Sequence, residues 1–120
     1  MHTLQSNNDI TAVELSSKNI IVATTKVKQT KRAYRLWIEG TKLTKSGFNS
    51  NSLYDITYLN DRIVLTLSDT GSRHVTGSNR NGKDRPIIDL HCIEVGNIFN
   101  ANDTVKVYYA DSTIVFKRGR

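Results

Sequence analysis

Short runs in which hydrophobic and polar residues alternate recur along the chain and predict β-strands. The segments "LYDITYL" (53–59) and "TVKVYYA" (104–110) alternate at every second residue and are rich in Val, Ile, Thr and Tyr, as half-buried strands are. Asn or Asp follows each segment, and then a second apolar run, "RIVLTL" (62–67) or "TIVFK" (113–117). This pattern is typical of a β-hairpin. We therefore predict an all-β or β-rich fold with short helical turns.

The two hairpins are two copies of one pattern. At an offset of 51 residues, several positions are identical without a gap: Phe48 and Phe99, Tyr58 and Tyr109, Ile63 and Ile114, Val64 and Val115. The same offset, applied to the residues that precede the hairpins, aligns "RLWIEG" with "PIIDLH" and places Glu94 where the first copy has Leu43. Units of about 50 residues bury too little surface to be stable alone. We therefore predict a first unit over 21–68 and a second over 69–120 that share one core as an intrachain pseudo-dimer.

The segment before the first hairpin, "GTKLTKSGF" (40–48), predicts one short helical turn. Thr41 is positioned to cap the turn, Leu43 to face the core, and Gly47 to end the turn with a positive φ. Residues 1–20 are predicted to be an N-terminal extension that is partly disordered or adds a strand. The apolar run "NIIVATT" (19–25) is a further candidate strand, for which the second unit offers no clear match.

The stretch "IEGTKLTKSGFNSNSLYDITYLNDRIVL" (38–65) resembles the AbrB, MazE and SpoVT swapped-hairpin superfamily, and within it the SymE-like proteins. The resemblance is carried by Ile38, Gly40, Leu43, Gly47, Phe48, Ile56, Ile63 and Leu65, and in the second copy by Ile88, Leu90, Phe99, Val107, Ile114 and Phe116. Lys42, Ser46, Glu94 and Gly96 depart from the pattern. The resemblance implies two interlocked strand-turn-hairpin units, which in that superfamily commonly form a dimer that binds DNA.

The chain is basic, with a formal net charge of +6 and a pI near 9.6, and such a balance favours polyanionic partners. Most of the charge lies in two stretches, here called the first and second basic arms, which precede the leading strands of the two units. The candidate nucleic-acid-binding residues are Lys26, Lys28, Gln29, Lys31, Arg32 and Arg35 in the first arm and Arg73, Asn79, Arg80, Asn81, Lys83 and Arg85 in the second. Their cations suit phosphates, and the amides of Gln29, Asn79 and Asn81 suit base edges.

The two arms would lie on one surface at equivalent positions if an approximate twofold axis relates the units. From there they can contact successive phosphates of a duplex. A basic run is also typical of an ordinary solvated face, and Tyr34 and Trp37 are compatible with base stacking or with core packing. We predict a DNA-binding transcriptional regulator or toxin-like nucleoid binder. Duplex DNA is the expected partner and RNA an alternative, with the chain acting as a monomeric pseudo-dimer or as a homodimer.

Two other functions remain open. One is an inhibitor of a nucleic-acid enzyme, of the anti-CRISPR or anti-restriction type made by phages and mobile elements, whose protein target would offer an acidic surface to the arms. The other is a nuclease, because Asp89, His91, Cys92 and Glu94 form the densest group of residues with catalytic potential. In a strand, Asp89 and His91 would share one face while Cys92 points to the other. We therefore assign no catalytic residue.

Further classes of chemistry are disfavoured. The chain has no GxxxxGKS/T, GxGxxG, HExxH or GxSxG motif and no Cys and His spacing typical of zinc sites. We expect no enzymatic activity, no metal and no cofactor. The single cysteine forms no intrachain disulfide and fits a reducing cytoplasm. The apolar runs are too short to predict a membrane span or a signal peptide.

Overall fold

The computed structural model of the chain describes residues 20–80 and 82–118. The predicted N-terminal extension, apart from residue 20, therefore lies outside the described residues. The first half forms β1 (Ile21–Lys26), β2 (Lys28–Gln29), β3 (Tyr34–Glu39), α1 (Thr41–Lys45), β4 (Leu53–Tyr58) and β5 (Arg62–Leu67). The second half forms β6 (Arg73–His74), β7 (Thr76–Arg80), β8 (Lys83–Cys92), α2 (Ile93–Ile98), β9 (Thr104–Ala110) and β10 (Thr113–Arg118). The prediction of a β-rich fold with short helical turns is confirmed.

The strands form two antiparallel sheets. One sheet has six strands in the order β1-β9-β10-β5-β4-β6, and the other has four in the order β2-β3-β8-β7. One cluster of buried hydrophobic side chains joins both sheets and both helices, and it includes Leu36, Leu43, Phe48, Phe99 and Phe116. The two halves thus share an interior. Within the described ranges, no helix is long and apolar enough to cross a membrane.

The two hairpins pair with each other through β5 and β10. Val64 lies opposite Val115 in this antiparallel pair, and these valines are 51 residues apart in sequence. Asn51 and Asn102 are separated by the same number of residues, and both adopt a positive φ, 73° and 68°. Equivalent positions of the repeat therefore face each other across an approximate twofold axis that passes between the two valines.

The same approximate twofold axis relates the leading strands β3 and β8, but their equivalent residues are 52 positions apart rather than 51. Trp37 lies opposite Asp89, which is 52 residues later, and Leu36 in β3 matches Ile88 in β8, both buried. The predicted alignment of "RLWIEG" with "PIIDLH" is therefore wrong by one residue. An offset of 51 would match buried positions with exposed ones, because successive side chains of a strand point to opposite faces.

The extra residue belongs to the turn that follows α1. The amide of Phe48 donates to the carbonyl of Leu43, and the amide of Phe99 donates to the carbonyl of Val95, each at 2.9 Å. Leu43 and Val95 are both fully buried. Leu43 is therefore equivalent to Val95 and not to Glu94. Leu43 lies five positions before Phe48, whereas Val95 lies only four positions before Phe99.

The local roles predicted for this turn are correct at two positions and wrong at one. Gly47 adopts a φ of 91°, and Leu43 is buried in the core. Thr41 does not cap the helix, because it is the first helical residue; Gly40 occupies the cap position with no side-chain hydrogen bond. Packing of Leu43, rather than capping, therefore stabilises this short helix.

Among the described residues, the first strand of each half pairs with the hairpin of the other half. β1 pairs with β9, and β6 pairs with β4. A fully buried valine follows each of these strands, and the two valines form equivalent backbone hydrogen bonds: Val27 with Asn102 and Asp103, Val75 with Asn51 and Ser52. The apolar run at the start of the chain therefore has a counterpart in the second half, contrary to the sequence-based expectation. Its counterpart β6 has only two residues and is too short to show a pattern.

Candidate nucleic-acid interface

The four-stranded sheet turns one face to the core and the other to solvent, and we call the second the outer face. Register and alternation place these residues on it: Lys28, Arg35, Trp37, Glu39, Thr76, Arg85, Ile87, Asp89 and His91. Trp37 and Asp89 are opposite each other and equivalent in the two halves. The approximate twofold axis therefore crosses the outer face between them.

A cleft of about 330 Å³ lies beside this axis, where β1, β2 and β3 meet. Its lining residues are Thr25, Lys26, Lys28, Arg35 and Trp37, and we call it the first cleft. Three of these five side chains are cationic and none is acidic. The side chain of Trp37 is 41% exposed, which is unusual for a large apolar residue. The first cleft therefore combines positive charge with an accessible aromatic ring.

The cations of the first cleft differ in how they are held. The Nε of Arg35 donates to Oδ1 of Asp89 at 3.0 Å, and its guanidinium carbon lies 5.8 Å from the centre of the Trp37 ring. Because this ion pair is partly exposed, we expect it to orient Arg35 more than to stabilise the fold. Lys26 and Lys28 form no ion pair with any residue in 20–80 and 82–118. Their charges are available to an anionic ligand.

The approximate twofold axis relates the first cleft to a second cleft of about 310 Å³. The second cleft is lined by Tyr54, Ser72, Arg73, His74, Thr76, Ile87, Ile88 and Asp89. All five residues of the first cleft have their counterparts in this lining: Arg73 for Thr25, His74 for Lys26, Thr76 for Lys28, Ile87 for Arg35 and Asp89 for Trp37. The two clefts therefore have equivalent positions in the fold and different chemistry.

The second cleft is less suited to an anion. Burial raises the pKa of the Tyr54 hydroxyl more than the neighbouring Arg73 lowers it. Tyr54 is therefore uncharged near neutral pH. Asp89 lines this cleft and places a carboxylate where the first cleft has an indole.

Lys83 and Arg85 of the second basic arm lie at a third cleft, of about 560 Å³. It is lined by Glu39, Gly40, Thr41, Thr44, Lys83, Asp84, Arg85 and Pro86. The Nε of Arg85 donates to Oε1 of Glu39 at 3.2 Å, and Asp84 adds a second carboxylate. Acidic and basic side chains are therefore balanced in this cleft.

The predicted site residues are distributed unequally over these surfaces. Lys26, Lys28 and Arg35 meet in the first cleft, Lys31 and Arg32 lie in the loop between β2 and β3, and Gln29 pairs in register with Tyr34. In the second arm, Arg73 lines the second cleft, Lys83 and Arg85 line the third, and Asn79 and Arg80 pair in register with Asp84 and Lys83. Asn81 lies outside the described residues.

The two basic arms do not occupy equivalent positions, contrary to the prediction. Leu36 lies nine positions after Val27, but in the second half the equivalent Ile88 lies thirteen positions after Val75. The additional residues extend the β7-β8 hairpin, so Lys83 and Arg85 lie beyond the part of the sheet that the first arm occupies. Trp37, whose role the sequence left open, lies on the outer face rather than in the core.

The residues with catalytic potential do not form one site. Asp89 pairs with Arg35, His91 Nε2 lies 2.9 Å from Thr30 Oγ1, and Cys92 Sγ lies 3.5 Å from the Tyr58 hydroxyl. Among the described residues, no group of three or more His, Cys, Asp and Glu side chains could hold a metal ion. In the part of the chain that the structure describes, Asp89, His91 and Cys92 therefore have separate partners and do not converge.

No protein-family model, no curated protein and no solved structure matches the chain. The resemblance to the swapped-hairpin superfamily therefore stays a prediction, and a function has to be inferred from the residues of the outer face.

Proposed function

We propose that the protein binds nucleic acid, with duplex DNA as its partner, through the outer face of the four-stranded sheet. The observation that carries the proposal is the first cleft, where Lys26, Lys28 and Arg35 converge without an acidic residue among the lining side chains. DNA presents closely spaced phosphates, and cations that neutralise them release condensed counterions. Such a cluster therefore favours a polyanionic backbone.

The length of the outer face supports a duplex as the partner. β8 runs for ten residues from Lys83 to Cys92, which is about 30 Å in an extended strand. Tyr34, at the end of the loop that carries Lys31 and Arg32, pairs with Cys92, so these cations and Lys83 lie at opposite ends of the face. One helical turn of DNA is about 34 Å long. Cations at the two ends can therefore contact phosphates about one turn apart.

Contacts of this kind fix affinity and register but carry little sequence information. The amides of Gln29 and Asn79, the described candidates for reading bases, pair with Tyr34 and Asp84 and therefore lie on the opposite side of the sheet from Lys28 and Arg85. We therefore infer duplex binding with limited sequence preference, as a nucleoid binder or an architectural transcriptional regulator requires.

The test compares two double charge reversals that change the net charge equally. Lys26→Glu with Lys28→Glu alters the first cleft, whereas Lys106→Glu with Lys117→Glu alters neighbouring positions on the six-stranded sheet. Binding of a labelled mixed-sequence duplex is followed by fluorescence anisotropy between about 50 and 200 mM salt.

The wild-type protein should bind more weakly as salt increases. The first-cleft variant should bind more weakly still, and its log-log salt slope should be smaller by about 0.9 for each phosphate that it no longer neutralises. The control variant should resemble the wild type. Equal weakening by both variants, or wild-type binding that salt does not change, would contradict the proposal. Failure of the wild type to bind duplex at all would favour the alternative of an acidic protein target.

A further inference from the structure

The first cleft contains an exposed aromatic ring that phosphate binding does not require. Trp37 is 41% exposed, whereas Phe48, Phe99 and Phe116 are almost completely buried. Trp37 lies in a strand whose neighbouring residues Leu36 and Ile38 are in the core, so its exposure follows from the strand alternation. The alternation therefore leaves this indole at the surface, where it lines a cationic cleft.

Side-chain contacts position the groups on both sides of this ring. The hydroxyl of Thr25 donates to the backbone carbonyl of Trp37 at 3.2 Å, which ties the six-stranded sheet to the four-stranded sheet at this point. On the other side, the guanidinium of Arg35 is fixed between the Trp37 ring and Asp89. A ligand that enters the cleft therefore meets positioned groups and has little ordering cost to offset.

An indole flanked by lysines suits a flat aromatic ring that is attached to an anion. A nucleotide has this combination, since its base can stack on the indole while its phosphate contacts the lysines. In the interior of a duplex, neighbouring base pairs cover both faces of each base and only the edges are accessible in the grooves. A base must leave the stack before an aromatic side chain can contact its face. The first cleft is therefore suited to a base that is unpaired.

We propose that the first cleft is a subsite for one unpaired base of a single-stranded segment. The base stacks on Trp37, and the adjoining phosphate is bound by Lys26 and Lys28. This proposal rests on the proposed function, because the same outer face binds the duplex that continues from the segment. The second cleft has Asp89 in place of Trp37 and offers no equivalent stacking surface, so each chain takes one base.

The experiment uses Trp37 as its own reporter, because it is the only tryptophan in the chain. The full-length protein is titrated with a blunt duplex, with the same duplex carrying a short thymidine overhang, and with oligothymidylate. Affinities for the labelled forms of these DNAs are then measured for the wild type, Trp37→Leu and Trp37→Phe. Val22→Ala is the matched control, since Val22 is 53% exposed on the six-stranded sheet.

The overhang duplex and oligothymidylate should change the Trp37 emission more strongly than the blunt duplex does, because only they place a base on the indole. The overhang should increase wild-type affinity about tenfold, within the range that one stacked base contributes. Trp37→Leu should abolish this gain, so that the variant binds the overhang duplex no more tightly than the blunt duplex. Trp37→Phe should keep most of the gain, and Val22→Ala should keep all of it.

The base subsite is overturned if the overhang leaves the emission unchanged, or if Trp37→Leu weakens blunt and overhang duplexes by the same factor. The duplex proposal fails separately. If the wild type binds oligothymidylate through Trp37 but does not bind blunt duplex, the result supports the base subsite and contradicts duplex binding. If no DNA binds, both proposals fall. Circular dichroism of Trp37→Leu should match the wild type, because the substituted side chain lies outside the core.

Discussion

The two halves of the molecule are alike in their interior and different on their surface. Val64 faces Val115 at the axis within the six-stranded sheet, and Leu43 and Val95 fill equivalent buried positions. On the outer face, by contrast, Trp37 is opposite Asp89. A shared core constrains both copies to similar volumes, whereas exposed positions are free to differ. Near-symmetry of the fold therefore does not imply symmetry of the binding surface.

A second difference between the halves explains the third cleft. Tyr34 in β3 is equivalent to Pro86 in β8, and Gly96 in α2 is equivalent to Thr44 in α1, each at the offset of 52. A Cβ atom at Gly96 would overlap the Tyr34 ring, so this ring packs directly on the glycine. Pro86 is too small to fill the equivalent space, and Pro86 and Thr44 line an open cleft.

The largest effects are expected where the two halves share their core. Phe48→Ala and Phe99→Ala each remove a ring that is at most 1% exposed, and each should lower the free energy of unfolding by about 3 to 5 kcal/mol. Urea titration followed by circular dichroism and by Trp37 emission should give one coincident transition for each variant.

Leu53→Ala is the control for the two phenylalanine variants, because Leu53 is 40% exposed, and it should cost less than about 1 kcal/mol. Phe48→Leu and Phe99→Leu are milder replacements should the alanine variants fail to fold. Separate transitions for the two probes, or a large cost at only one of the two positions, would show that the halves are independent.

An intermediate effect is expected at the equivalent positions of the two helices. Gly96→Ala must displace the Tyr34 ring and should cost about 1 to 3 kcal/mol. Thr44→Ala changes an exposed side chain and should stay within about 0.5 kcal/mol of the wild type. Thermal unfolding of both variants measures the difference. Equal melting temperatures would mean that Tyr34 does not pack on Gly96.

The smallest effect is expected at the two hairpin turns. Arg62 donates two hydrogen bonds to Asp61, at 3.0 and 3.2 Å, and this bonding lowers the pKa of the Asp61 carboxyl. The equivalent residue of the second turn is Ser112. A lowered folded-state pKa stabilises the fold above the ordinary carboxyl pKa, and this contribution is lost as pH falls through the folded value. Asp61→Asn should therefore destabilise the protein at neutral pH, by less than about 1 kcal/mol because the side chain is 56% exposed.

The difference between wild type and Asp61→Asn should decrease as pH falls from about 4 towards about 2. Ser112→Ala is the matched control and should show no such pH dependence, since serine does not titrate in this range. Melting temperatures measured across the pH series provide the test. A difference that persists at the lowest pH would assign the effect to something other than the ionised carboxylate.

The hairpins and the repeat could be read from the sequence because they depend on local patterns. Alternation at every second residue located β4 and β9, continuous apolar runs located β5 and β10, and the need for a positive φ identified Gly47. The pattern of apolar residues did not show that equivalent residues are 52 positions apart before Phe99 and 51 positions apart from Phe99 onwards. The segment "PIIDLH" has two adjacent isoleucines, and either of them could face the core. β6 was missed because two residues are too few to form a pattern.

The candidate site depended on contacts between distant parts of the chain. The ion pair between Arg35 and Asp89 joins residues that are 54 positions apart, and the first cleft exists only because β1, which pairs with β9, returns beside β3. The sequence identified the cations of the first cleft as candidates, but neither their separation from Lys83 nor the exposure of Trp37 could be derived from composition. The longer β7-β8 hairpin decided the first, and the side of β3 that packs on the shared core decided the second.

The sequence by itself determined which segments become strands, where the hairpins turn and that the chain repeats, since these depend on side-chain alternation and on residues that favour turns. The tertiary structure alone decided which repeated positions become equivalent and which surfaces they form. Register and face are set when the two halves bury their apolar residues together, and a shift of one residue exchanges the buried and exposed sides of a strand.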